Sequence, residues 1–179
     1  MLSSSLHISS LGMTSATALP DLIVEVVRVV AHTMGPVAPG AQLSQNHWSI
    51  YLIIKGGGSV RLNMETDPTP GKHEGIFKVT RHQYEMTTSC VRHWDCPATD
   101  NITVGRILKL IGEKRRNRYR MTPTGVGCRH WVLTIIGDLV NAGYIGDTNA
   151  TATLNQVIQF NYSRNQHPVA LPMLKGSFY

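Results

Sequence analysis

A cysteine, a histidine and the glycines just before the cysteine are the residues whose types and order suggest covalent chemistry in this chain. Cys128 follows the turn Thr124-Gly125-Val126-Gly127 and opens the segment CRHWVLTIIGDLVNA. The apolar residues Trp131, Val132, Ile135, Ile136 and Leu139 of that segment recur at helical spacing. A thiol in the first turn of a helix meets the positive end of the dipole and free backbone N–H groups, which stabilise a thiolate. The same N–H groups can hold the oxyanion of a tetrahedral intermediate. Arg129 adds a cation beside the thiol. His47 opens the strand pattern NHWSIYLII and is a candidate for the base that a cysteine nucleophile needs. Taken singly, a cysteine opening an apolar helix is usually a small core residue, and a strand histidine a hydrogen-bonded one. The pairing of the two is what points to catalysis.

Other clusters carry chemistry-bearing side chains. Cys90, His93 and Cys96 fall within SCVRHWDCP, and His82 or His73 would be needed as a fourth zinc ligand. Their spacing matches no paired C-x-x-C or H-x-x-x-H module, so a hairpin with incidental cysteines is preferred and no metal is expected. A Cys90–Cys96 disulfide would need an oxidising compartment. Lys114, Arg115, Arg116, Arg118 and Arg120 supply five of the 17 positive side chains, with Tyr119 among them. Such a run can track phosphates. Cations at the end of a helix are the plainer explanation, no nucleic-acid motif accompanies them, and no nucleic-acid partner is expected. Because the run leads into the turn before Cys128, Arg118 and Arg120 are candidate contacts for an anionic, carboxylate-bearing substrate. Trp48 and Tyr51 flank His47 and are candidate substrate contacts as well, although their strand stripe also suits core packing. There is no phosphate loop, dinucleotide glycine pattern, HExxH or GxSxG signature, and no cofactor is expected.

The elements that must position these residues follow from composition and period. The chain has 179 residues, 42% hydrophobic and 16% charged. That suits one domain with a real core, and excludes a disordered chain or a charged coiled coil. Three cysteines argue against a secreted disulfide framework. No apolar run reaches the length of about 18 residues that a membrane span requires. The first twenty residues, MLSSSLHISSLGMTSATALP, lack the basic region and apolar core of a signal peptide and the arginines of a presequence. They read as a disordered leader over 1–20, with Met13 an alternative start and the cytoplasm the default address. From 21 onward the pattern predicts a strand over 22–33, a loop over 34–45 and a hairpin in NHWSIYLIIKGGGSVRLNM. A loop over 67–75 and a strand over 76–86 follow, the strand paired with a short one near 87–94. The period then changes. Helices are expected over 103–113, 128–142 with Gly143 as C-cap, and 152–160, with an extended piece over 117–121 and an irregular tail from 162. Strands first and helices after make an α+β domain, an antiparallel sheet packed against two or three helices.

At the level of motifs the chain resembles known proteins. His47-Trp48-Ser49-Ile50-Tyr51-Leu52, a glycine turn, then Ser59-Val60-Arg61-Leu62 resembles the histidine hairpin of lecithin:retinol-acyltransferase-like proteins. Gly127-Cys128-Arg129-His130-Trp131-Val132 resembles their asparagine-cysteine-glutamate-histidine-phenylalanine motif. The resemblance implies a circularly permuted papain-like domain in which histidine precedes cysteine, and acyl transfer through a thiol. Arg61 stands where that family has a second histidine, and arginine cannot accept a hydrogen bond from an imidazole N–H. Asn63, on the sheet face of His47 by period two, is the candidate to orient it, with Asp67 the alternative from a loop. The family's long hydrophobic C-terminal anchor is missing, which argues against a membrane-lipid substrate. From 24 to 179 the chain is more specifically similar to a group of uncharacterised domains from filamentous fungi, often found near specialised-metabolite genes. That likeness runs through NHWSIYL, GSVRLNM, RYRMTPTGVGCRHWV and KGSFY.

The expectation is therefore a small cofactor-free fungal enzyme of specialised metabolism. It would act on a small molecule, anionic or carrier-bound, by acyl transfer, hydrolysis or intramolecular cyclisation, with Cys128 as nucleophile, His47 as base and Asn63 as orienting residue. Two other classes stay open: a non-covalent cyclase or isomerase using the same pocket, and a non-enzymatic binding module in which Cys128 and His47 are structural.

Overall fold

The β-branched and aromatic residues of the first half form a five-stranded sheet, seen in a computed structural model that describes residues 18–179. The strands are β1 (Val24–Pro36), β2 (Ser44–Ile54), β3 (Ser59–Thr66), β4 (Gly75–His82) and β5 (Cys90–Pro97). Their order across the sheet is β4-β3-β2-β1-β5, and every neighbouring pair is antiparallel. The second half supplies three helices, α1 (Val104–Glu113), α2 (Cys128–Asn141) and α3 (Ala150–Val157), and the short strands β6 (Tyr119–Arg120), β7 (Phe160–Asn161), β8 (Val169–Ala170) and β9 (Ser177–Phe178). The domain is α+β, and among the described residues no helix is long and apolar enough to cross a membrane.

Side-chain alternation divides the sheet into two faces. Val27, Val29, Ala31, Trp48, Ile50, Leu52, Val60, Leu62 and Met64 meet the helices. Against them α1 presents Val104, Ile107 and Ile111, and α2 presents Trp131, Val132, Ile135, Ile136 and Leu139. The opposite face carries Val30, Tyr51 and Ile53 and is covered by chain alone. This follows from the topology: β4 and β5 lie at opposite edges, so residues 83–89 must cross the sheet. Hydrogen bonds from the sheet fasten the crossing, among them those from Ser59 Oγ to the Tyr84 carbonyl (2.6 Å), from Arg28 Nη1 to the Glu85 carbonyl (3.0 Å), from the Thr33 N–H to the Ser89 carbonyl (2.8 Å), and between His32 Nδ1 and Ser89 Oγ (2.9 Å).

Several elements differ from the sequence expectation. The predicted pairing of the strand after 76 with the one near 87–94 does not form. β5 pairs with β1 instead, where Trp94 stacks on Trp48 at 5.1 Å and Arg28 clamps Asp95 at 2.7 Å. The predicted loop over 34–45 shrinks, because β1 runs on to Pro36 and β2 starts at Ser44 across an irregularity at Gly35. α3 begins and ends earlier than the expected 152–160, whereas the tail from 162 is mostly irregular as expected, with two short strands, β8 and β9, that pair with β7 and β6. Met13 and most of the expected leader lie outside the described residues, but its end is folded. Leu19–Asp21 form a 3-10 turn, and Leu19 packs on the core.

The basic run closes the gap between α1 and α2. Lys114 Nζ and Arg116 Nε lie 3.2 and 2.7 Å from the carboxylate of Asp138, which α2 holds in a largely buried position. The Arg116 guanidinium also rests 4.6 Å from the Phe178 ring, and its carbonyl accepts the Trp131 indole N–H. Removing one member of such a cluster strands the other charges. Asp138→Asn is expected to lower stability by about 2 kcal/mol, below the loss typical of a fully buried pair because both cations are partly exposed. An unchanged urea midpoint would show that the cluster contributes nothing.

Candidate active site

The site forms where the ladder between β2 and β3 stops. Ile50↔Leu62 is its last pair, although β2 begins at Ser44 and β3 continues to Thr66. Beyond that pair β3 keeps β4 as a neighbour out to Thr66↔Gly75 and β2 keeps β1, so the first part of β2 lacks a ladder partner on the β3 side. The N-terminus of α2 reaches this opening. It is presented by the turn before Cys128, which is held by Thr66 and Tyr119. Thr66 Oγ1 donates to the Gly125 carbonyl (3.0 Å). The Tyr119 hydroxyl donates to the Gly127 carbonyl (2.9 Å) and accepts the Gly176 N–H (2.9 Å). Burial pushes the Tyr119 phenol up to about 12, so it remains a donor. Gly127 has φ +151°, and a Cβ there would come within 3.0 Å of the Tyr119 hydroxyl, two independent reasons for glycine.

In the opening Cys128 lines the larger cavity together with His47 and Asn63, and a second one together with Trp48. His47 Nε2 and Asn63 Oδ1 lie 2.6 Å apart, which leaves Nδ1 for the sulfur. Asn63 Nδ2 donates to Glu65 (2.7 Å), whose carboxylate pairs with Lys78 (2.6 Å). That acceptor sets the Asn63 amide the right way round to receive a proton from His47. Burial opposes charge on Cys128, but the hydrogen bond and charge of His47, the Trp48 N–H and Arg129 outweigh it, and the thiol titrates below its ordinary value. Burial also opposes charge on His47, yet Cys128 and Asn63 outweigh it and the imidazole titrates above its ordinary value. The two shifts bring the titrations of thiol and imidazole toward one another, the direction that activates a cysteine paired with a histidine. No side chain caps the N-terminus of α2, so its first-turn N–H groups stay available.

Residues 27–179 match the family model described as Domain of unknown function (DUF7770). The chain belongs to the DUF7770 family. No curated protein and no solved structure matches it.

Two cavities of this DUF7770 domain meet at Cys128. The larger, about 530 Å³, is lined by His32, His47, Arg61, Asn63, Glu65 and Ser89 among others. The smaller, about 160 Å³, includes Trp48, Phe160, Leu171 and Leu174. Gln45, Asn46 and Val126 border both.

The other candidate residues lie as follows. Trp48 faces the helix-side core and the smaller cavity, and its buried indole N–H finds no acceptor among the described residues. Tyr51 is buried under the 83–89 crossing and lines neither cavity. Arg118 and Arg120 are directed elsewhere by the turn after α1. Arg120 pairs with Glu74 (3.4 Å) and stacks near Tyr179, and neither arginine lines a cavity beside Cys128. Arg129 is drawn from the thiol toward the tail, donating to the carbonyls of Ile158, Leu171 and Pro172. Asp67 binds its own loop through the Thr69 N–H. Cys96 belongs to the helix-side core while Cys90 packs on the other face, so these cysteines do not converge. All three cysteines are free, and among the described residues no group of three potential ligands comes together.

Sequence reasoning missed His32. It stands directly opposite His47 in the β1–β2 register, with ring centroids 6.0 Å apart. Ser49 Oγ lies 2.6 Å from its Nε2, and Ser89 holds its Nδ1. Burial, with the charges of Arg61 and His47, pushes it down to about 3, so it forms a neutral wall of the larger cavity. A titratable residue within an apolar strand was the available signal. Iodoacetamide alkylation of Cys128 should persist well below the ordinary thiol range, because a lowered pKa leaves thiolate there. His47→Ala should slow labelling by about tenfold or more near pH 6.5. Equal rates in both proteins at that pH would remove the ion pair.

Proposed function

We propose that this protein is a thiol-dependent acyl-transfer enzyme built on a permuted papain-like arrangement, with hydrolysis or intramolecular ring closure as the second half-reaction. The observation that carries the reading is the convergence of Cys128, His47 and Asn63 on one cavity, with His47 Nε2 2.6 Å from Asn63 Oδ1 and the pKa shifts of the first two running in opposite directions. The sulfur of the thiolate adds to the acyl carbonyl, and the first-turn N–H groups of α2 receive the oxyanion. As the tetrahedral intermediate collapses, the bond to the leaving group breaks and His47 gives that group its proton, leaving a thioester and a neutral imidazole. Water or an acceptor hydroxyl or amine then loses its proton to His47 and attacks the thioester, and the thiolate departs. Asn63 holds the imidazole in the tautomer that makes both transfers possible.

Two cavities meeting at one sulfur suit such a reaction, since the acyl group and the leaving or incoming group need separate places. The apolar residues of the smaller cavity suit the dry side of an acyl group. The similarity to fungal domains encoded near specialised-metabolite genes suits a biosynthetic small molecule rather than a peptide or a nucleic acid.

The test uses p-nitrophenyl butyrate and intact-protein mass spectrometry. A butyryl adduct on Cys128 is expected, with nitrophenol release lost in Cys128→Ala and reduced about a hundredfold or more in His47→Gln. Turnover undiminished in Cys128→Ala would reject the covalent route. Turnover retained in Cys128→Ser without any adduct would favour a non-covalent cyclase or isomerase.

A further inference from the structure

The larger cavity contains a positive charge that the Cys128–His47–Asn63 array does not use. Arg61 projects from β3 on the same face as Asn63, two residues and so about 7 Å along the strand from it. Its Nε donates to Ser49 Oγ (3.2 Å), and the guanidinium lies 5.8 Å from the centre of the Tyr51 ring across the ladder. Its two Nη groups meet no acceptor among the described residues, and no carboxylate lies within ion-pair distance of it. The nearby carboxylate of Glu65 is committed to Lys78 and to Asn63.

The surrounding groups leave that charge uncancelled. His47 and Cys128 serve one another, each drawing the other's titration toward its charged form. His32 is neutral, and its ring nitrogens are occupied by Ser49 and Ser89. The Ser49 hydroxyl is shared between His32 and Arg61. A partly buried guanidinium with one stacking ring and one hydroxyl is under-compensated, and two free Nη donors form the fork that a carboxylate fits.

We propose that Arg61 binds a carboxylate of the substrate, so that the protein selects acyl donors carrying a carboxylate on the part that fills the larger cavity. This rests on the acyl-transfer reading for the position of the scissile group, whereas the carboxylate site itself needs no reactive thiol. Arg61 thereby takes the role that the position of the basic run in the sequence suggested for Arg118 and Arg120.

Two matched probes separate the claims. Cys128 is labelled with 3-maleimidopropionate and with N-ethylmaleimide, and the rate ratio of acid to neutral probe is measured by peptide mass spectrometry. The ratio should exceed that of free cysteine by about tenfold, fall to the free-cysteine value in Arg61→Gln, and be partly kept in Arg61→Lys. The unreactive analogue 3-succinimidopropionate is titrated by calorimetry into the same three proteins, whose melting temperatures confirm folding. It should bind the parent and weaken about tenfold or more in Arg61→Gln. A ratio and a binding constant that ignore Arg61→Gln would overturn the proposal while leaving Cys128 as nucleophile. Arg61-dependent binding with a Cys128 inert to both maleimides would overturn the acyl-transfer reading and sustain this one.

Discussion

The early end of the β2–β3 ladder is the constraint on which the candidate site depends. A strand edge without a neighbour exposes N–H and C=O groups that must find partners. Here the Trp48 N–H acts on Cys128 and helps to lower its pKa. Had pairing continued past Ile50↔Leu62, that N–H would be engaged by β3 and the end of α2 would remain on the far side of a closed sheet. The opening instead lets a thiol from the helix layer meet an imidazole on the opposite face. Opening and site are thus one feature, and its cost in sheet hydrogen bonds is offset in part by contacts that the tail supplies.

Holding a helix N-terminus at such an opening requires rigid support, and the remaining polar contacts are concentrated there. Tyr119 joins the turn before Cys128 to the C-terminal strand β9, with Phe178 packed on its ring. Arg129 ties the first turn of α2 to the end of α3 through the Ile158 carbonyl and to the tail through those of Leu171 and Pro172, and Asp138 ties its middle to the residues after α1. Asn46 exchanges two hydrogen bonds with the backbone of Tyr162, so the part of β2 without β3 beside it is braced by the tail. Apart from the exposed contacts of Arg129 with Leu171 and Pro172, these braces are buried or half-buried, where hydrogen bonds have little competition from water. Catalytic and binding groups held within tenths of an ångström need this kind of second layer.

Electrostatics divides the site into parts with separate roles. The low dielectric around Cys128 and His47 makes their mutual attraction large enough to overcome desolvation of both. The same environment suppresses charge on His32, since a third cation beside Arg61 and His47 would have no counter-ion. Lys78 and Glu65 neutralise one another and fix Asn63 from behind. What remains is one guanidinium facing a cavity of about 530 Å³. Within the basic run, by contrast, Lys114, Arg116 and Arg120 are structural, paired with Asp138 and Glu74.

Read alone, the sequence determined the α+β class, the strands around Val27 and Ile50, the helices opened by Val104 and Cys128, and the nomination of Cys128 and His47. These follow from period, β-branching and helix-start chemistry, all of which act within a few residues. Asn63 was legible only as a residue on the correct face, because period two assigns a face but not a register. The register came from the end of a ladder, and that end depends on α2 packing into it. The crossing of 83–89, the pairing of β5 with β1, the opposition of His32 and His47, and the isolation of Arg61 were decided by tertiary structure. Each depends on which residues distant in sequence become neighbours, and local propensity carries no information about that. Arg118 and Arg120 illustrate the difference. They are close to Cys128 along the chain, but the turn after α1 directs them away from the cavity that Arg61, far off in sequence, lines.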